Sequence, residues 1–244
     1  MNTNLKPRSL LSLDWIAFGI GLAAVSLQWV WHQLGGLAAV AIFTPAILRE
    51  LGWVKDGDEL TLAAMRRAGL HGLLVAIGLV ILSWLMSLGG VDVMKHSLGP
   101  AVFTGAELHK VVAGAYLVSY VIQTWGARLG VSRVLIAAGV LSLGPIVGFL
   151  RSDDPAVRTS AALVLAALAL VFFLLAWLVR SRPRIGAAVL SLLFAAAVVA
   201  AVFQFQDSRL FIAGVSLIVQ AGILFGATGW VLWREQRLEK EGAV

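Results

Sequence analysis

The sequence predicts an all-α protein, a polytopic bundle of about eight transmembrane helices with both termini on the cytoplasmic side. Three observations lead there. Apolar residues make up 60% of the chain and charged residues 13%, about half the charged share of a soluble domain. The apolar residues fall into eight long runs separated by glycine, proline and aspartate breakers. Lysine and arginine crowd one set of run ends, as the positive-inside rule requires. Eight spans of ~20 residues would use about 160 positions. What remains is short loops, so residues 1–244 are expected to form a single transmembrane domain.

The spans are placed at about 11–32, 35–53, 62–90, 100–125, 131–150, 156–179, 185–205 and 209–233. Gly35-Gly36, Asp56-Gly57, Gly89-Gly90, Gly99-Pro100, Asp153-Asp154-Pro155 and Arg182-Pro183 mark the cuts. Asp153 or Asp154 followed by Pro155 reads as a helix N-cap with proline in the first turn. Pro45 and Pro145 lie inside spans, and a bend is expected at each. Lys6 and Arg8 ahead of the first run look like the start of a secretory signal. The run is too long for one and carries Asp14, so it is read as a permanent anchor.

Fourteen of the 19 lysines and arginines, among them Arg49, Arg66, Arg67, Arg128, Arg133, Arg180 and Arg237, fall on the side assigned to the cytoplasm. Only Lys95, Arg151, Arg158 and Arg209 fall on the other, with Lys110 inside a span. Tryptophan gives the same frame: Trp15, Trp53, Trp125, Trp177, Trp230 and Trp233 sit at cytoplasmic ends, and Trp29, Trp31 and Trp84 at outer ends. Indole rings favour that interfacial belt. The basic residues therefore read as topology signals. The lipid bilayer is the expected partner and nucleic acid is not.

Composition also narrows the chemistry. With no cysteine in the chain, disulfides, thiolate metal sites and cysteine nucleophiles are ruled out. There is no phosphate-binding glycine loop and no dinucleotide fingerprint. Candidate sites therefore come from polar side chains inside apolar spans, where they are costly and usually face the bundle interior.

The fourth span holds most of them. At 100° per residue, His109, Ala113, Tyr116, Tyr120 and Gln123 fall on one line down the helix. Both tyrosines of the chain are in this stripe. It reads as a polar seam that glues neighbouring helices by hydrogen bonds; the alternatives are a cofactor slot or a proton relay. Glu107 and Lys110 are spaced to pair with each other. The first span carries a weaker stripe of Asp14, Gly21, Val25, Gln28 and His32. Asp14 and His32, near its two ends, are expected to be wetted, and Gln28 to be buried. Three histidines, His32, His96 and His109, belong to the outer half, and His71 to the inner half of the third span. Imidazole suits zinc, copper or haem iron, but no metal-type histidine spacing is present, and no metal site is assigned.

Arg66-Arg67-Ala68-Gly69-Leu70-His71 opens the third span from inside, and Glu107-Leu108-His109-Lys110 opens the fourth from outside. Over this local stretch the chain resembles the cytochrome b561-type membrane proteins. The resemblance implies b-haem electron transfer, with His71 and His109 as ligands of two haems. The sequence departs from that pattern in its last four spans, which hold neither histidine nor methionine. An outer haem would then pair His109 with His96 or His32. A competing reading takes Asp58-Glu59 and Arg66-Arg67 as an ordinary acidic-then-basic helix start, with His71 incidental. The leading functional expectation is a non-catalytic membrane subunit or accessory protein working beside a partner membrane protein. A b-haem protein is the second reading and a small-solute or proton-pathway protein the third. The Ala, Leu, Val and Gly richness suits a bacterial inner membrane.

Overall fold

A computed structural model describes residues 13–28, 34–54, 59–88, 105–149, 154–205 and 211–241. Among them every regular element is helical, as apolar runs of this length require. The helices are α1 (Leu13–Leu27), α2 (Leu34–Glu50), α3 (Glu59–Leu88), α4 (Gly105–Trp125), α5 (Ala127–Phe149), α6 (Pro155–Ser181) and α7 (Pro183–Phe205). The last rod starts as α8 (Phe211–Ala221), widens into a π-helical segment (Gly222–Ala227) and ends as α9 (Thr228–Lys240). Among the described residues five helical stretches are long and apolar enough to cross a membrane: Glu59–Leu82, Ala127–Ile146, Pro155–Ser181, Pro183–Phe205 and Leu217–Glu239. Leu13–Leu27 and Val111–Trp125 are apolar but shorter.

Local chemistry sets the helix ends. The Asp154 carboxylate accepts from the N–H groups of Ala156 (2.8 Å) and Val157 (3.4 Å), with Pro155 beginning the helix, as the sequence predicts. Gly52, at φ 73°, closes α2: its N–H donates to the Arg49 carbonyl (3.0 Å) and the Trp53 N–H to that of Leu48 (2.9 Å). A positive φ is strained for any residue with a Cβ. Gly126 at φ 77° makes the same stop between α4 and α5. Both α2 and α5 run through their internal prolines.

Consecutive helices pack as antiparallel neighbours, α1 on α2, α3 on α4, α5 on α6 and α7 on α8. Two cores result. The first joins Ile42 of α2, Ala64, Met65 and Ala68 of α3, and Ala113, Tyr116 and Tyr120 of α4, with Phe18 of α1 packed against them. The second joins Ile122 of α4 to Val131 and Leu135 of α5, Phe172, Leu175 and Val179 of α6, Leu190 of α7 and Leu232 of α9. Helix α4 is the wall they share, lending opposite faces to each. Arg49, Arg66, Arg128, Arg133, Arg180 and Arg237 all lie near the bundle end where α1 starts and α4 stops. This end is called the arginine-rich end below.

Candidate functional site: a buried ion pair beside the tyrosines

The first core encloses a charged group. Asp14, in the first turn of α1, and Arg49, in the last turn of α2, meet across the hairpin. Arg49 Nη1 donates to Asp14 Oδ1 at 2.6 Å and Nη2 to Oδ2 at 3.3 Å. This is the two-pronged geometry in which a guanidinium matches a carboxylate. The Tyr120 hydroxyl of α4 donates to Oδ2 at 3.1 Å, and Met65 of α3 brings its sulfur to 3.4 Å from Arg49 Nη1. Four helices thus converge on one carboxylate–guanidinium pair. Asp14 is 7%, Arg49 8%, and Tyr116 and Tyr120 each 3% exposed.

Around the pair the packing is aromatic. Tyr116 and Tyr120 stack with ring centroids 6.1 Å apart and planes 6° from parallel. Phe43 of α2 leans on Tyr116 at 5.0 Å, and Phe18 meets Tyr120 edge-on at 5.5 Å. Quadrupole attraction favours such offset and edge contacts. Towards the arginine-rich end, Trp15 packs on Trp125 at 5.8 Å. The Arg133 guanidinium lies 3.3 Å over the Trp125 ring and 5.5 Å from that of Trp15, a cation–π arrangement.

Burying two charges costs several kcal/mol per ion before any attraction is counted, and the return depends on geometry and on extra hydrogen bonds. Here the pair has both: two guanidinium contacts and a phenol donor on the carboxylate. Chemically it is a neutral, tightly closed unit.

The polar stripe of α4 divides. Tyr116 and Tyr120 are interior, and Tyr120 reaches the ion pair. Gln123 is half-buried and donates to Ser119 of its own helix at 2.7 Å, rather than continuing the line inwards. His71, exposed on α3, sets Nδ1 2.7 Å from the same Ser119 hydroxyl. His71, Ser119 and Gln123 therefore form a second, outward-facing group. His109 lies on the described backbone of α4, but its side chain, like those of Glu107 and Lys110, is outside the described residues. So are His32 and His96. The polar partner the structure provides for His71 is a hydroxyl. Among the described residues no three His, Asp or Glu side chains stand together as a metal site.

Asp14 departs from expectation: it is not wetted at the membrane surface but buried, because Arg49 and Tyr120 reach it. Gln28, expected to be buried, is half-buried. Arg49, one of the basic residues read as orientation signals, also serves as an interior counter-ion. The sequence held only part of that signal. An acid in the first turn of one apolar helix and a base in the last turn of the next stand at the same depth in an antiparallel hairpin. Comparison with protein-family models, with curated proteins and with solved structures finds no match.

Proposed function

We propose that this chain is a multi-pass membrane protein that crosses the bilayer eight times, with both termini in the cytoplasm, and acts as a non-catalytic subunit or accessory component beside a partner membrane protein. The observation that carries the reading is the Asp14–Arg49 pair closed by Tyr120. A carboxylate meant to bind solute or pass protons needs water or an open partner. This one is clasped by a guanidinium and walled by Phe18, Phe43 and Met65, an arrangement suited to holding α1, α2 and α4 in fixed register. A seam of that kind stabilises a scaffold on which another protein can assemble. A bacterial inner membrane fits the composition, and the arginine-rich end fits the cytoplasmic face.

The test is purification of the tagged full chain from its own membrane in a mild detergent, followed by mass spectrometry and an absorption spectrum. The expected result is a second membrane protein in fixed ratio and no absorbance beyond that of tryptophan and tyrosine. A chain that purifies alone with a Soret band lost on His109→Ala would overturn the subunit reading in favour of b-haem electron transfer.

A further inference from the structure

At the arginine-rich end the junction of α4, α5, α6 and α9 forms an open, shallow recess of about 350 Å³, lined by Trp125, Gly126, Arg128, Leu129, Arg180 and Glu235. Its charges are unevenly matched. Arg128 donates from Nε (2.7 Å) and Nη2 to the carbonyl of Arg180. It thereby caps the last turn of α6, whose carbonyls have no partner within their own helix. Among the described residues the Arg180 guanidinium makes no hydrogen bond or ion pair, and neither does the Glu235 carboxylate. Behind the Trp125 wall, Arg133 Nη1 is buried without a hydrogen-bond partner, and Arg180 is near enough for the two like charges to act on each other. Arg128 and Arg180 thus line the recess beside Trp125, Arg133 lies against that indole, and Glu235 is the one carboxylate in the lining. Like charges gathered at a concave site, with donors unspent, are stabilised by an anion that accepts several hydrogen bonds at once.

We infer that this recess binds a phosphate group, with Arg180 and Arg128 as the donors and Arg133 as supporting positive charge. Two sources carry that chemistry, the headgroup of an anionic phospholipid and a free soluble phosphate. The site goes beyond the subunit reading and does not depend on it.

The full chain is reconstituted in nanodiscs of phosphatidylcholine alone or of equal parts phosphatidylcholine and phosphatidylglycerol. The first set is also titrated with inorganic phosphate, and thermal midpoint and lipid retained after detergent extraction are read. Arg180→Gln should weaken phosphate-group binding roughly tenfold, the loss of one charge-assisted contact. Because its guanidinium makes no hydrogen bond or ion pair among the described residues, the variant should otherwise behave as the parent. Glu235→Gln should strengthen binding, and Arg158→Gln, near the opposite bundle end, should leave it unchanged. An Arg180-dependent effect of phosphatidylglycerol alone identifies a lipid headgroup. An Arg180-dependent effect of inorganic phosphate identifies a soluble ligand. No Arg180 dependence in either arm, or an equal loss with Arg158→Gln, overturns the site.

Discussion

The Asp14 carboxylate has a sharp energetic signature because removing Arg49 alone would leave it a buried, unpaired charge. Arg49→Met should destabilise the protein by about 3–5 kcal/mol, whereas pairing it with Asp14→Leu should recover most of that loss. Urea unfolding in detergent micelles, run as a double-mutant cycle, measures the difference. Tyr120→Phe keeps the ring and deletes one hydrogen bond to a charged group, for a loss of about 1.5–3 kcal/mol. Tyr116 contributes a ring stacked between Phe43 and Tyr120, so Tyr116→Phe should cost less. A larger loss at Tyr116 than at Tyr120 would show that the phenol–carboxylate contact is not what ties α4 to the pair.

At the scale of helices, the bundle depends on a few places where backbones approach closely. A Cβ on Gly130 of α5 would stand 2.6 Å from Ile122 Cα and 2.9 Å from the Val121 carbonyl oxygen, both backbone atoms of α4. Neither can swing aside, so Gly130→Ala should part the shared wall from α5 and cost about 1–3 kcal/mol. Gly78 of α3 has nothing within 4 Å of an added Cβ, and Gly78→Ala should be neutral or slightly stabilising by its helix propensity. Thermal midpoints of the two variants in one detergent make the comparison; equal destabilisation would contradict the packing of α4 on α5. The contrast follows from position, since α5 lies between α4 and α6 while α3 packs chiefly on α4.

For the whole molecule the testable property is orientation. The chain has no cysteine, so single cysteines report cleanly. Glu241→Cys, after α9, should react with a membrane-impermeant maleimide only once the cytoplasmic face is opened, and Leu88→Cys, at the far end of α3, from outside intact cells. Labelling of both from one side would refute the eight-span arrangement with cytoplasmic termini.

Composition and patterning alone determined that the chain is helical, that its helices are apolar enough for a membrane, where most of them stop and that Tyr116 and Tyr120 share one face of α4. Tyr116 and Tyr120 were legible because 3.6-residue periodicity places them on one face, and an isolated helix already contains that information. Asp154 was legible because a cap is a contact within three residues. The fate of Asp14, Arg49 and Gln123 was not written locally. Whether an acid near a helix start meets water or a base depends on which helix packs beside it and at what depth, and that is a property of the assembled bundle. Only the tertiary structure brought Arg49 across the α1–α2 hairpin and Tyr120 in from α4, turning a residue expected at the wet edge into the centre of the interior.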